Sequence, residues 1–263
     1  MPDLKLRRPA QLQHISFNRL LPNAITLLSL CAGLSAIRYA FLGKWEFALF
    51  ALLAAAICDT LDGRVARLLK GTSQFGAELD SLADLVSFGV APALTLYLWT
   101  LQDAGPLGWV AVLIFPCCSA LRLARFNTML AAENPPPFAS MFFTGVPTPA
   151  GAGLAMLPIV LSIGMKENNL GTLAAEHWLV IPWTIFVGFL MVSRLPSFSG
   201  KKIRIPRDLA VILLLCVAFF TALLVTMPWI AMVLILVIYL LSLPVSFWHY
   251  RNLMKNHKTG KAA

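Results

Sequence analysis

The composition of this chain excludes several classes of protein. It has 263 residues, of which 59% are apolar and 13% are charged, whereas an ordinary soluble domain has about 45–50% apolar residues. Disorder and a simple soluble globule are therefore excluded, and the composition predicts a protein embedded in a membrane. The net charge of +9 is compatible with nucleic-acid binding or with basic loops beside a bilayer, so the positions of the charges must decide.

Long apolar segments recur along the chain. A helix needs about 20 mostly apolar residues to span a bilayer, and eight segments approach that length. We therefore predict an all-α, polytopic membrane protein with about eight transmembrane helices. In chain order the segments are Asn23–Leu42, Glu46–Leu69, Phe75–Thr100, Gly108–Leu130, Gly145–Met165, His177–Val192, Leu209–Met227 and Trp229–Tyr250.

The basic residues lie mostly on one side of this predicted arrangement. With eight spans both termini share a side, and that side carries most lysines and arginines, whereas Lys44 and Lys166 are the main basic residues opposite. The positive-inside rule then places both termini in the cytoplasm, as in a multi-pass protein of the inner membrane surrounded by lipids. The same distribution explains the net charge without a nucleic acid, and the sequence has no nucleic-acid-reading motif.

The predicted spans divide the chain into five parts. Residues 1–22 form a cytoplasmic N-terminal segment, either an interfacial helix or a partly ordered tail. Residues 23–193 form a core of six spans, and residues 209–250 form a C-terminal hairpin of two spans. Between and after them lie a basic cytoplasmic loop, 194–208, and a basic cytoplasmic tail, 251–263.

Acidic residues cluster where the second and third spans meet. Asp59 and Asp62 are three positions apart, and Asp80 and Asp84 are four apart, so each pair shares one helix face. The turn between the spans makes them antiparallel neighbours, which brings the four carboxylates together. Such a group needs compensating charge, and ligands that are all oxygen favour two bridged Mg²⁺ or Mn²⁺ ions. Salt bridges among ordinary juxtamembrane charges are the alternative explanation.

Small and basic residues accompany the acids on the second span. Gly63 and Ala66 leave the helix face without bulk, so a ligand can approach the backbone. Arg64 and Arg67 offer forked donors that suit phosphate oxygens. Metal-binding carboxylates beside arginines at a membrane surface predict a phosphorylated or nucleotide-bearing substrate.

These residues together resemble a known signature. The fixed positions are Asp59, Asp62, Gly63, Ala66 and Arg67, then, after eight residues, Gly76, Asp80 and Asp84. This pattern resembles the signature of the CDP-alcohol phosphotransferase family at every defining position, and the match covers mainly the first six spans. The resemblance implies an integral-membrane transferase with a six-helix catalytic core, to which this chain adds two C-terminal helices.

The resemblance also implies roles for individual residues. Asp59 and Asp80 would contact both of two divalent cations, Asp62 would complete the first metal site, and Asp84 would belong to the second. Asp84 would also be the general base. The implied contacts to CDP-diacylglycerol are Gly63, Ala66, Arg67 and Ser73, with Asn23 and Thr26 as a further nucleotide contact.

Two of these implied contacts have simpler explanations. Asn23 follows Pro22 and is equally explained as the N-cap of the first helix. Ser73 is explained somewhat better as a turn residue, because serine is common in turns. Both explanations stay open at the level of sequence.

Three local segments resemble the bacterial and archaeal members of the family that use L-serine: Glu78–Asp84, Arg122–Asn127 and Thr144–Ala150. They predict transfer of a phosphatidyl group from CDP-diacylglycerol to the serine hydroxyl, which gives phosphatidylserine and CMP. A homodimer is implied by the family alone. Thr144–Pro149 is predicted either to shape the acceptor pocket at a helix start or to pack helices closely through small residues.

A bound serine would need partners for its own charges. The candidate cations for its carboxylate are Arg122, Arg125, Arg194 and Arg204, and Glu78 is the candidate for its ammonium group. The positive-inside rule alone also explains each of these arginines.

Two other functions are compatible with this sequence. An enzyme of the same family could use glycerol 3-phosphate or inositol phosphate, which would require extra basic residues for a second phosphate. A divalent-cation transporter also carries acids on membrane helices, but it usually places them near the bilayer midplane on interrupted helices. The predicted position of these acids near one membrane surface favours the transferase.

Overall fold

The computed structural model describes residues 17–130, 142–165, 169–193, 195–198 and 210–258. These residues are almost entirely helical, in agreement with the predicted class. The α-helices are α1 (Phe17–Phe41), α2 (Trp45–Leu68), α3 (Gln74–Asp84), α4 (Ala91–Trp99), α5 (Pro106–Leu130), α6 (Thr148–Ala155), α7 (Leu157–Gly164), α8 (Asn169–Ala174), α9 (His177–Val192), α10 (Ala210–Thr226) and α11 (Pro228–Lys258). Two short strands, β1 (Phe142–Thr144) and β2 (Pro196–Phe198), pair antiparallel.

Each predicted apolar segment coincides with helical structure. Among the residues that the structure describes, four helical segments are long and apolar enough to cross a membrane. They are Leu20–Phe41, Gln74–Trp99, Pro106–Thr128 and Pro228–Trp248. Helix α9 is apolar but shorter. These segments support a helical membrane protein.

Several helix boundaries differ from the prediction. Helix α1 begins at Phe17, upstream of the predicted start at Asn23, and α11 continues to Lys258, beyond the predicted end of the last span. The fifth segment is split into α6 and α7 around Met156. Pro158 explains this break, because proline has no N–H to bond the preceding turn and its ring crowds that turn.

The third predicted span contains a feature that the sequence did not indicate. Between α3 and α4 the chain forms a π-helical turn, Leu85–Val90, inside an otherwise continuous helical segment. Ser87 of this turn lies against α1, where a Cβ on Gly33 would be 2.5 Å from the Ser87 Oγ. A residue larger than glycine would therefore push α1 away from the π-helical turn.

Helix α1 is also joined to its neighbours by hydrogen bonds. The Ser29 hydroxyl donates to the Ala55 carbonyl on α2 at 2.9 Å, and the Ser87 hydroxyl donates to the Ser29 carbonyl at 3.2 Å. Such bonds stabilise helix pairs where water is scarce. Helix α1 thus fixes α2 relative to the third span, and these two elements carry all four predicted metal ligands.

The apolar core lies mainly between α4, α5, α7 and α9. Leu96, Phe115, Ile159 and Val187 are fully buried in it, and α5 packs along α9. Many large apolar side chains point outward instead, which is typical of a surface covered by lipid. This core holds α5 and α6 beside the third span, where they complete the site described next.

Candidate active site

Three of the predicted metal ligands lie close together. One carboxylate oxygen each from Asp59, Asp62 and Asp80 lies within 4.8 Å of the other two. Three carboxylates at this separation repel one another unless a proton or a cation lies between them. Their oxygens are the ligands that hard divalent cations prefer. The donor set at the junction of α2 and α3 therefore fits a metal ion.

Asp84 adjoins these three residues on the side of α5. It is the last residue of α3, immediately before the π-helical turn. Its carboxyl group lies within hydrogen-bonding reach of Asp59 and near enough to the Arg122 guanidinium for their charges to interact. Asp59, Asp62, Asp80 and Asp84 are together called the acid cluster below.

The opposite side of the acid cluster contacts α1. The Thr26 hydroxyl lies 2.7 Å from Oδ2 of Asp62, and both residues are buried. The same hydroxyl is 3.1 Å from the Pro22 carbonyl oxygen, but a hydrogen bond to a carboxylate is the stronger of the two. Thr26 therefore orients Asp62, so the acid cluster has Thr26 at one end and Arg122 at the other.

A cleft of about 370 Å³ opens at the Thr26 end of the acid cluster. All six residues predicted to contact CDP-diacylglycerol line it, together with Asp62 and Asp80. Its full lining is Pro22, Asn23, Thr26, Asp62, Gly63, Ala66, Arg67, Gly71, Thr72, Ser73, Gly76, Ala77 and Asp80. The structure thus assembles one polar cleft from α1, α2 and α3, with the carboxylates of Asp62 and Asp80 and the exposed Arg67 in its wall.

The turn between α2 and α3 has a defined C-cap. The Gly71 N–H donates to the Ala66 carbonyl at 2.9 Å, and the Lys70 N–H donates to the Arg67 carbonyl at 3.3 Å. This pair of bonds is the Schellman motif, which needs a left-handed residue after the helix. Lys70 supplies it with a φ of 50°. The motif turns the chain back so that α3 returns beside the acidic end of α2.

The two open explanations for Asn23 and Ser73 now have different outcomes. Asn23 is not a helix N-cap, because α1 begins at Phe17 and Asn23 lies inside it. Ser73 is the N-cap of α3, where its hydroxyl accepts the Gly76 N–H at 3.0 Å. Both side chains nevertheless approach Gly76 at the cleft, since a Cβ there would lie 2.9 Å from the Asn23 Oδ1 and 3.1 Å from the Ser73 Oγ.

The predicted acceptor residues do not all lie in the same place. Arg122 is buried and donates from Nη1 to the Thr148 hydroxyl at the start of α6. Arg125 instead donates to the carbonyls of Val192 and Ser193, at 2.7 and 3.1 Å. Glu78 is exposed on α3. Arg194 and Arg204 lie outside the described residues.

Comparison with known families agrees with this geometry. A family model described as CDP-alcohol phosphatidyltransferase matches residues 19–190, which include the acid cluster and the cleft. The chain belongs to this family. A second model, described as CDP-alcohol phosphatidyltransferase 2, matches residues 208–244.

Related proteins align with most of the length of this chain. A protein named CDP-diacylglycerol–serine O-phosphatidyltransferase from Mycobacterium leprae is 39% identical over 237 residues, which cover 89% of this chain and 76% of that protein. The protein of the same name from Mycobacterium tuberculosis is 39% identical over 230 residues, covering 86% and 77%. The one from Helicobacter pylori is 36% identical over 203 residues, covering 76% and 81%.

The sequence analysis did not predict one contact between α3 and α5. The Asn127 side-chain amide on α5 donates to the Ser81 hydroxyl on α3 at 3.0 Å, one residue after the metal-ligand candidate Asp80. Both residues lie in segments that resemble serine-using family members, and that resemblance was the available signal. The bond holds α3 against α5 beside the acid cluster.

Proposed function

We propose that this protein transfers the phosphatidyl group of CDP-diacylglycerol to the hydroxyl of L-serine, and so produces phosphatidylserine and CMP. The names of the relatives support this reaction. The observation that carries it is the position of the acid cluster between a polar cleft and a buried arginine. This arrangement suits a reaction in which one group leaves on one side of a phosphorus atom while another attacks from the opposite side.

The cleft holds the cytidine diphosphate part of the donor. Gly63 has nothing within 4 Å of where a Cβ would stand, so the pyrophosphate can approach the α2 backbone there. Arg67 presents its guanidinium to the phosphate oxygens. Asn23, Thr26, Ala66 and Ser73 line the rest of the cleft.

The acid cluster would hold two divalent cations, Mg²⁺ or Mn²⁺. As the family resemblance implies, Asp59 and Asp80 would serve both ions, Asp62 would complete the first site and Asp84 the second. When bound, the cations neutralise the pyrophosphate and favour the departure of CMP. Thr26 keeps Asp62 oriented toward its site through the 2.7 Å hydrogen bond.

Asp84 is the general base. It lies at the end of the acid cluster away from Thr26 and next to Arg122, where an acceptor can reach it without crossing the cleft. A serine hydroxyl is a weak nucleophile at neutral pH, so a carboxylate that takes its proton as it attacks accelerates the reaction. Burial of this side also excludes water, which would otherwise hydrolyse the donor.

The protein is a multi-pass component of the inner membrane, embedded in its lipids. Eight spans, with α6 and α7 forming the fifth together, put both termini and the acid cluster on the cytoplasmic side, because most basic residues then lie there. The chain forms a homodimer, as the family resemblance implies, and a mass measurement in detergent would give its subunit count.

The test of this function is an acceptor panel. Purified protein in detergent micelles receives CDP-diacylglycerol with Mg²⁺ or Mn²⁺, and CMP release is measured with L-serine, glycerol 3-phosphate, inositol, inositol phosphate or no acceptor. We expect CMP and phosphatidylserine in equal amounts with serine only, and no product with EDTA. CMP release with a different acceptor would contradict the assignment of serine as the acceptor. Ion flux into sealed vesicles without any CMP release would favour a transporter.

A further inference from the structure

The environment of Arg122 differs from that of an ordinary membrane-surface arginine. It is 8% exposed, and burying a guanidinium is unfavourable unless its donors and its charge find partners. Nη1 donates to the Thr148 hydroxyl. The Nε, however, is buried and has no hydrogen-bond partner. One edge of this planar donor group is therefore held in place while another donor is unused.

Arg125 provides an internal comparison. It lies one turn further along α5, and its two terminal nitrogens donate to the carbonyls of Val192 and Ser193. These carbonyls are at the C-terminal end of α9, where cations and donors satisfy unpaired backbone groups. Arg125 therefore has a structural role that accounts for its donors, whereas Arg122 does not.

The surroundings of Arg122 carry charges of both signs. The guanidinium lies within electrostatic range of the Asp84 and Asp59 carboxyl groups and the Tyr239 phenol of α11, and also of the Arg125 guanidinium, which adds positive charge on the same helix. Thr148, which orients it, is the first residue of α6, and the N-terminal end of a helix carries a partial positive charge. Among the residues that the structure describes, Arg122 is the one buried lysine or arginine. A single guanidinium pairs well with one carboxylate through two parallel hydrogen bonds.

We propose that Arg122, oriented by Thr148, binds the carboxylate of the amino-acid acceptor. This inference rests on the proposed function and identifies which of the candidate arginines determines acceptor specificity. Only Cα and Cβ separate the carboxylate of serine from its hydroxyl group. A serine held at Arg122 therefore keeps its hydroxyl near Asp84, which lies beside the same guanidinium.

The test compares two arginine variants in membranes or detergent. Arg122→Gln removes the charge, and Arg38→Gln makes the same change at an exposed arginine in the last turn of α1. The kcat, the KM for L-serine and the KM for CDP-diacylglycerol are measured for both. For Arg122→Gln we expect the KM for serine to rise by about 10-fold or more, as for loss of a charged hydrogen bond.

The remaining readouts separate specificity from structure. The KM for CDP-diacylglycerol should match that of the unsubstituted protein in both variants. An unchanged KM for serine in folded Arg122→Gln would overturn the inference, and so would an equal rise in both KM values, because neither result is specific to the acceptor. If the unsubstituted protein does not use serine, the proposed function fails instead.

A second variant tests the same inference if Arg122→Gln does not fold. Thr148→Val removes the hydroxyl that accepts from Nη1 and keeps the size of the side chain. It should raise the KM for serine by about 3- to 10-fold, less than removal of the charge itself, because the guanidinium remains but loses the group that orients it, while the KM for CDP-diacylglycerol stays constant. An equal rise in both KM values would contradict the inference.

Discussion

The two ends of the acid cluster are built in different ways. The cleft at the Thr26 end is lined by residues from Pro22 to Asp80, on three consecutive helices, and part of its wall is exposed. The Arg122 end joins Asp84 on α3 to Arg122 on α5, Thr148 on α6 and Tyr239 on α11, and Arg122 and Thr148 are buried.

This difference matches the two substrates of the proposed reaction. A nucleotide diphosphate is large and charged and must leave as CMP, so an open polar cleft suits it. A serine is small and must react in preference to water, so a buried site with one fixed cation suits it. Substitutions at the two ends should therefore affect different substrates, whereas a substitution at the centre should affect the reaction as a whole.

The largest effect is expected at Asp84, where the two ends meet. Asp84→Asn keeps the size of the side chain but removes the proposed general base, and general bases typically contribute about 10²- to 10⁴-fold. CMP release with serine should fall by about 10³-fold. Asp103→Asn, the same change at an exposed residue beyond α4, is the matched control and should retain full activity. An active Asp84→Asn protein would remove Asp84 from the mechanism.

A smaller effect is expected where Thr26 orients Asp62. Thr26→Val removes the 2.7 Å hydrogen bond to the carboxylate without changing the side-chain volume much. Because a hydrogen bond to a charged group contributes about 1.5–3 kcal/mol, kcat/KM should fall by about 10-fold or more, and more Mg²⁺ should be needed for half-maximal rate.

The control for Thr26 is available on α2. The exposed Thr60 donates only to the Ala56 carbonyl in its own helix, so Thr60→Val should leave both quantities unchanged. Equal effects of the two valine variants would mean that the bond from Thr26 to Asp62 has no specific role in the site.

The smallest effects are expected at two glycines that line the cleft, and they should differ between the two positions. Gly63 faces open space, whereas a Cβ on Gly76 would lie 2.9 Å from the Asn23 Oδ1. Gly63→Ala should keep or slightly raise the melting temperature, because alanine favours a helix over glycine. It should raise the KM for CDP-diacylglycerol about 10-fold, the lower range for one misplaced methyl group in a binding site. Gly76→Ala should instead lower stability by about 1 kcal/mol or less, because the side chains of Asn23 and Ser73 must shift to make room. An unchanged KM for CDP-diacylglycerol in Gly63→Ala would mean that the cleft is not the donor site.

The cleft end was predictable from sequence because its residues are close along the chain. The spacing of Asp59, Asp62, Asp80 and Asp84 follows helix periodicity, and one short turn brings the two pairs together. The family membership implied by these positions was confirmed by the match over residues 19–190. The helical class followed from the apolar segments for the same local reason.

The Arg122 end was not predictable in the same way. The positive-inside rule explains Arg122, Arg125, Arg194 and Arg204 equally, so the sequence offered no means to choose among them. The contact of Arg122 with Thr148 depends on how α5 packs against α6, a long-range property that local patterns do not contain. The π-helical turn after Asp84 likewise lies against Gly33, a contact between distant parts of the chain. The N-cap explanation of Asn23 was wrong because α1 starts earlier.

The most direct test of the divided site is a two-substrate kinetic comparison of Gly63→Ala and Arg122→Gln under identical conditions. The account predicts opposite changes: the glycine variant raises the KM for CDP-diacylglycerol and not that for serine, and the arginine variant does the reverse. If both variants raise both KM values by the same factor, the two substrates share one pocket and the division of the site is contradicted.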